Sequence, residues 1–426
     1  MKVLIISHNS FSTFQSMGKT FCTLFSAFKK EELCQLFIYP TIPDVDFCNS
    51  YYRITDKDVL NFFKTFKVTG KEIHINTSCE VKHNLFENAK DELFYRNKKN
   101  HTASRVLARD FLWKVTPWFN QSLKDWLKRE KISHIFVAPG GYKFIYDIAI
   151  KCADFLKIPI ITYICDEYFF VSEPKRIIEK VKEALFKRKM NQLMMKTSLI
   201  ITISEELKRA YADFFRKDTH VVMTGCSFPI EAAPQRRNVI KELTYMGNIR
   251  NNRFVSLCEI GMALDEINQE LNQDFSLNIY TKENDATILR ELSKCKSIKM
   301  KGFVTGESFY RVFHSSQCLL HTEGFDEKSV DYVKNSISTK LADSLGSGIL
   351  LVAYGPSNIA SIRHLIVNNS AFVISNNVEL KQKLRQLFSL SESERMLYVE
   401  NALCTASKCH NTDLNGRILY QIIENV

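Results

Sequence analysis

No run in the 426-residue chain approaches the roughly 20 apolar residues that span a bilayer, so a helical membrane-spanning protein is not expected. The opening, Met1–Ser7, carries one Lys and a short apolar run, too short to read as a secretory signal. Twelve cysteines are present, but there is no CxxC pair and no Cys/His cluster. That argues against a zinc ribbon and for reduced, core-filling thiols in a cytoplasmic protein. A GxGxxG fingerprint is missing. Gly18-Lys19-Thr20 is not a phosphate-binding P-loop, because the glycine required five positions earlier is Thr13. Internal repeats and low-complexity tracts are also missing, which excludes solenoids. With 45% hydrophobic residues, the length points to two ordered domains.

Positive charge is in excess. The net charge is +11 and the pI about 8.9, which favours anionic partners: nucleotides, nucleic acid or acidic lipid. Two stretches concentrate it. Residues 94–131 hold all three Trp (Trp113, Trp118, Trp126) with ten Lys or Arg and three acids. They read either as a nucleic-acid or membrane surface, or as an amphipathic helix pair with its indoles turned inward. Residues 174–196 read as a basic helix, with Ile177, Ile178, Val181, Leu185 and Phe186 at helical spacing. It either lies on anionic lipid or is a crossover helix with a solvated basic face. The bases are dispersed and no nucleic-acid module is present, so nucleic acid is not an expected partner.

The most informative stretch is 336–356, a short helix, a glycine stop and a buried strand. Ser338 is read as the helix N-cap. Leu341 and Leu345 form its apolar stripe. Gly346 and Gly348 end it, and 349–354 is an apolar run suited to a strand covered on both faces. Lys340 stands in the first turn, where a cation opposes the helix dipole and a bound anion relieves the conflict. Asp343, off the apolar stripe, is placed to accept from hydroxyls. A solvated Lys and Asp on an ordinary helix is the competing reading.

Elsewhere strands and helices alternate in two halves. The first half opens with a strand at 3–6, a polar loop ending at Gly18, and a helix over 19–28. A strand over 159–165 ends at Asp166-Glu167, carboxylates where α/β sheets bind ligands. Residues 40–100 are too irregular to order. After a periodicity-free segment at 228–238, a second unit begins with a strand at 243–246 and the loop Gly247-Asn248-Ile249-Arg250-Asn251-Asn252-Arg253.

The Ser-Thr-Lys before the short helix of the 336–356 stretch and the Gly-x-Gly after it resemble the donor-site segment of family 4 glycosyltransferases. The second Glu of that family's Glu-x7-Glu motif falls on Asp343, and the first falls on Asn335, so the motif is not intact. The strand-Gly-Asn loop (Gly247, Asn248) matches the family's loop that brings a basic residue, here Arg250 or Arg253, to the donor diphosphate. Glu323, in His321-Thr322-Glu323, resembles the family's acidic loop. The resemblance implies an α/β chain of GT-B fold, two Rossmann-like domains facing a central cleft. The expected division is 1–227 for acceptor binding, a linker at 228–238, 239–405 for the nucleotide sugar, and a tail at 406–426 crossing back to the N-terminal domain.

The implied reaction moves a sugar from a nucleoside diphosphate sugar to a hydroxyl of a glycan or lipid-linked acceptor, with retention at the anomeric carbon. Cell-surface glycan or polysaccharide synthesis is the expected setting. No cofactor and no metal are expected. The catalytic set is Arg250, Arg253, Lys340 and Glu323: the three cations, with the amides of Ser338 and Thr339, are the candidates for stabilising charge on the leaving phosphate, and Glu323 is carried over from the acidic loop. Donor binding is assigned to Gly18, Gly247, Asn248, Ser338, Thr339 and Asp343, and the acceptor side to Asp166 and Glu167. The expected location is cytoplasmic, at the inner face of the membrane, in contact with anionic lipid. Two other readings fit the same fold: a nucleotide-sugar epimerase, and a non-catalytic nucleotide-sugar-binding subunit of a glycan assembly complex, for which the broken motif speaks.

Overall fold

A computed structural model describes residues 1–13, 16–74, 102–170, 176–235 and 240–426. The chain forms two compact units, Met1–Val222 with Asp413–Val426, and Met223–Thr412. Each is built on a largely or wholly parallel sheet.

Among the described residues of the first unit, eight strands lie in the order β4-β3-β2-β1-β5-β6-β7-β8. They are β1 Val3–Ser7, β2 Leu33–Phe37, β3 Ser50–Arg53, β4 Lys71–Ile73, β5 His134–Val137, β6 Ile160–Ile164, β7 Thr197–Thr202 and β8 Asp218–Val221. Among these described strands only β4 runs antiparallel to its neighbour. Strands β1, β2 and β6 are buried throughout, as strands of a parallel sheet covered on both faces must be. The irregular-looking 40–100 stretch contributes β3, β4 and the helix Asp56–Thr65; residues 75–101 lie outside the described residues. That helix starts at a reciprocal cap: the Thr55 hydroxyl accepts from the Asp58 amide, and Asp58 accepts from the Thr55 amide.

The three tryptophans are core residues, each 1% exposed or less. Trp113 stacks on Phe144 and donates to the Asp56 carboxylate at 2.9 Å. Trp126 donates to Ser50 Oγ at 2.7 Å. The helices Ala103–Val115 and Gln121–Arg129 are therefore an inward-facing amphipathic pair, and the membrane and nucleic-acid readings of their indoles fall away. Residues 94–101 of that stretch lie outside the described residues.

The C-terminal helix Thr412–Glu424 packs on the first unit through Leu419 and Ile423, and the Tyr420 hydroxyl donates to Glu32 at 2.9 Å. Gly416 permits the approach, since a Cβ there would stand 3.0 Å from the Ala27 amide.

The second unit has six parallel strands in the order β11-β10-β9-β12-β13-β14. They are β9 Glu242–Met246, β10 Ser276–Tyr280, β11 Ile298–Gly302, β12 Cys318–Thr322, β13 Leu351–Tyr354 and β14 Phe372–Ile374. Counted within the unit, this is the doubly wound order 3-2-1-4-5-6. Residues 228–235 of the segment read as a linker hydrogen-bond inside this unit: Glu231 N donates to Gly346 O and Gln235 N to Gly348 O. Residues 236–238 are outside the described residues.

Candidate functional site

In a doubly wound sheet the ligand crevice opens at the carboxyl ends of the strands where the winding reverses, because the loops diverge there. In the second unit that place is between β9 and β12. A pocket sits on it, lined by Thr244, Tyr245 and Met246 from β9, by Leu319–Glu323, and by Ser338, Lys340, Asp343 and Ser344. Phe309 and Phe313 supply an apolar wall, and Arg253 a cation.

The loop after β9 delivers Arg253. Asn251 and Asn252 both take the left-handed conformation, with φ of 55° and 53°. Asn tolerates this region better than most residues, so the chain can turn back and start the helix Arg253–Leu271 beside the pocket. The same helix fixes the opposite loop, with Ser256 Oγ donating to Glu323 O at 2.8 Å. Gly324 lets the two loops touch, since a Cβ there would lie 2.8 Å from Asn251 O.

The charges are organised around Glu323, which is 2% exposed. Arg253 Nε donates to its Oε2 at 2.7 Å, and Nη2 donates to Oε1 at 2.9 Å. Burial raises the Glu323 carboxyl above its ordinary value, against the pull of Arg253 and Lys340. His321, two residues earlier, is 9% exposed, and its Nε2 lies 3.6 Å from Glu323 Oε1, too far for a hydrogen bond. Burial, then Arg253 and Lys340, push its pKa down to about 3. Lys340 begins its helix, and its ammonium rests against Gly247, where a Cβ would collide with Nζ. Asp343 is 8% exposed and accepts from the Ser227 amide at 2.6 Å.

Arg253, Lys340, Glu323, Asp343 and Ser338 are thus brought together, with Gly247 against Lys340. Arg250 is elsewhere. It pairs with Glu283 at 2.8 Å, holding that carboxyl down at about 2, and lies outside the pocket lining. Asn248 shapes the loop, its Oδ1 accepting from the Arg250 amide and its carbonyl from Tyr245 OH. The N-cap is Thr339, not Ser338, and its side chain makes no capping bond. The Ser338 amide, expected to meet an anion, instead donates to Ser361 Oγ at 2.9 Å.

Three candidates belong to the first unit. Gly18 packs against the 10–12 loop, where a Cβ would be 2.7 Å from Ser10 O, so close backbone packing accounts for the glycine. Glu167 is 2% exposed and accepts from the amides of Phe169 and Phe170, both at 3.0 Å; it organises its own loop. Asp166 is half-buried and accepts from Tyr168 OH at 2.8 Å.

Sequence reasoning assigned no role to His321, although alternation along a strand aims residues two apart to the same side. Tyr245 and the Phe309–Phe313 pair were missed because nothing in their local pattern separates pocket wall from core.

No protein-family model and no curated protein matches the chain in sequence. Solved structures do match. The UDP-forming α,α-trehalose-phosphate synthase of Burkholderia vietnamiensis aligns over 100% of both chains at 11% identity and a TM-score of 0.60. Anabaena HepE, solved in complex with UDP-glucose, aligns over 100% of both at 10% identity and 0.60. Sucrose-phosphate synthase of Thermosynechococcus elongatus aligns over 99% of this chain and 98% of its own at 9% identity and 0.62. At such identities the likeness is one of fold, and the fold is GT-B.

Proposed function

We propose that this protein transfers a sugar from a nucleoside diphosphate sugar to an acceptor hydroxyl, and that the pocket between β9 and β12 is the donor site. The observation that carries the reading is the convergence of Arg253 and Lys340 on one pocket at the winding reversal, from two different elements. Breaking the bond to the diphosphate gathers charge on the leaving phosphate, and fixed positive groups aimed there lower that barrier most. Arg253 and Lys340 fill this role, and the reaction needs no metal. Asp343 faces the ribose end. In a retaining, front-face reaction the leaving phosphate takes the acceptor proton, so no carboxylate nucleophile is required. That HepE was solved with UDP-glucose, and a related trehalose-phosphate synthase with glucose 6-phosphate, supports a nucleotide-sugar donor and a hydroxyl acceptor.

The family 4 assignment, through Ser338-Thr339-Lys340, belongs to this proposal, as does a role in cell-surface glycan or polysaccharide synthesis in the cytoplasm. So does contact with anionic lipid. No helix among the described residues is long and apolar enough to cross a membrane. The helix Ile177–Lys196, however, is apolar on two sides. Phe186, Met190, Leu193 and Met194 are buried, while Ile177 is 83% exposed and Ile178, Val181 and Leu185 are 41–47% exposed. Such a face among lysines suits the headgroup boundary of an anionic bilayer, where a lipid-linked acceptor resides.

The test is a thermal-shift panel of UDP-, GDP-, ADP- and CMP-sugars. Ligands that bind the native state raise the melting temperature by mass action. One base should stand out, and turnover of that donor with crude lipid or glycan acceptors should follow. A panel in which nothing shifts would sink the donor-site reading.

A further inference from the structure

His321 is a buried polar group of the pocket with no assigned task. It is the penultimate residue of β12, is nine-tenths buried, lines the cavity, and its Nε2 has no hydrogen-bond partner. An orphaned buried nitrogen costs stability, so its presence calls for an account. Its surroundings are heavily charged. Arg253 faces it from the helix Arg253–Leu271, and Lys340 and Asp343 from the helix Lys340–Gly346. Glu323 follows it at 3.6 Å, and Tyr245 lies on the neighbouring strand β9, paired with Leu320. On β13 its register partner is the small Ala353. Glu323 is already held by Arg253 at two points, so it does not complete the imidazole.

We propose that His321 is a third contact for the ligand's pyrophosphate group: its Nε2–H donates a hydrogen bond to a phosphoryl oxygen held by Arg253 and Lys340, and the imidazole takes a proton from solvent as that anion arrives. This rests on the donor-site reading above. Burial and the two cations hold the ring neutral until an anion arrives. An anion at hydrogen-bond distance reverses the local field and favours the imidazolium, so Nδ1 gains a proton while Nε2–H is kept. His321 then responds to the charge of the bound group, which a purely structural histidine does not.

The probe is inorganic pyrophosphate, titrated calorimetrically at pH 6 in two buffers of different ionisation enthalpy. Pyrophosphate itself titrates in this range, so the readout is a difference: wild type should take up more protons at pH 6 than His321→Gln, and the difference should vanish by pH 8. His321→Gln keeps an N–H donor that cannot titrate; it should bind nearly as tightly as wild type with no His321-linked uptake. His321→Leu should bind roughly tenfold more weakly or worse, as expected for a lost hydrogen bond to a charged group. Wild-type protein labelled with ¹⁵N-histidine gives a readout that needs no variant to fold: one imidazole should move toward the protonated shift on adding pyrophosphate. Either a folded His321→Leu that binds as tightly as wild type, or a proton count equal to that of His321→Gln with no moving imidazole, overturns the proposal while leaving the donor site intact. If neither pyrophosphate nor any nucleotide sugar binds wild type, the donor-site reading falls and this proposal falls with it.

Discussion

Arg253 grips Glu323 at two points, Nε to Oε2 at 2.7 Å and Nη2 to Oε1 at 2.9 Å, with the carboxylate almost wholly out of solvent. A guanidinium has five N–H donors, so this fork leaves others to face the pocket. It also makes Arg253 structural. Removing it strands a buried carboxylate, and breaking such pairs costs about 3–5 kcal/mol. Arg253→Ala should therefore melt markedly lower than wild type, whereas Arg253→Lys should lose activity with a smaller thermal penalty. The double variant Arg253→Ala/Glu323→Gln should recover much of the lost stability and none of the activity. Denaturant melts and turnover, measured side by side, check this. If the double variant is as unstable as the single, the pair is not what holds the site.

Asp343 is also less free than its sequence position suggests. It lies off the apolar stripe of its helix, and sequence alone marks it as a ligand acceptor with little part in stability. In the structure it is buried and accepts from the Ser227 amide at 2.6 Å. Asp343→Ala should thus lower stability by about 1.5–3 kcal/mol, the worth of a hydrogen bond to a charged group, and should weaken nucleotide binding as well. Asp343→Asn keeps an acceptor for Ser227 and should recover most of the stability. A thermally silent Asp343→Ala would show that the Ser227 contact carries no weight.

Acid should destabilise the second unit before most carboxylates titrate. His410 Nδ1 donates to Thr224 O at 2.8 Å, so its neutral Nε2 must accept, and it lies 3.1 Å from His364 Nε2. Burial and His364 lower its pKa to about 4, and His321 is lowered to about 3. Unfolded histidine titrates near pH 6.5, so below that pH the unfolded chain binds more protons than the folded one. Stability is full above about pH 6.5 and falls as pH drops toward 4, by on the order of 2 kcal/mol per group at pH 5. Urea melts at pH 7 and pH 5 measure it. His410→Gln, if folded, should show a shallower loss, and an unchanged pH slope would exclude His410 as a contributor.

The order of strands and helices in the second unit was legible because parallel strands buried on both faces read as unbroken apolar runs, as 349–354 does. The same logic failed for β3 and β4. Their strand Ser50–Arg53 carries polar ends, and β4, Lys71–Ile73, is a short, partly exposed edge. Thr55 to Asp58 is a cap signature, yet an Asp where Glu or Gln is usual hid it. At the site, spacing marked both Arg250 and Arg253 but could not choose between them. The choice depends on the left-handed turn at Asn251 and Asn252, and on Glu283, a residue far away in sequence that claims Arg250. The N-cap falls on Thr339 rather than Ser338 for a similar reason: the Ser338 amide is taken by Ser361, which no local pattern announces.

The helix Ile177–Lys196 should bind anionic vesicles. At 100° per residue, Ile177, Ile178, Val181 and Leu185 fall within an arc of about 100°, with Lys180 and Lys182 at its edges, Arg188 inside it, and Glu179 and Glu183 on the far side. Lys187 and Lys189 pair with Glu183 and Asp147, so they are poorer candidates for lipid contact than sequence suggests. Binding to phosphatidylglycerol vesicles should fall steeply with salt, and binding to phosphatidylcholine vesicles should be weak. Neutralising Lys180, Lys182 and Arg188 together should abolish it, and Ile177→Asn with Val181→Asn should weaken it at low salt. Equal affinity for neutral and anionic vesicles, or for neither, would remove the membrane from the account.

Lys340 separates a transferase from a binding protein. Its ammonium lies where a Cβ of residue 247 would be, so Gly247 and Lys340 act as one unit: the glycine leaves the space and the lysine fills it with charge. If that charge meets the leaving phosphate, its attraction grows as the sugar departs. An interaction stronger in the transition state than in the ground state lowers kcat when removed. Lys340→Ala should therefore cost on the order of 10²-fold in kcat, comparable with losing an oxyanion donor. Gly247→Ala, which pushes the ammonium aside without removing it, should lose part of the same rate. Arg250→Ala should be nearly silent in turnover, because that side chain is half exposed and paired with Glu283 outside the pocket. EDTA should change little, since these cations stand where other enzymes place a metal. Were Lys340→Ala to weaken nucleotide binding and leave kcat intact, the lysine would be a binding device only; were EDTA to abolish turnover, the metal-independent mechanism would be wrong.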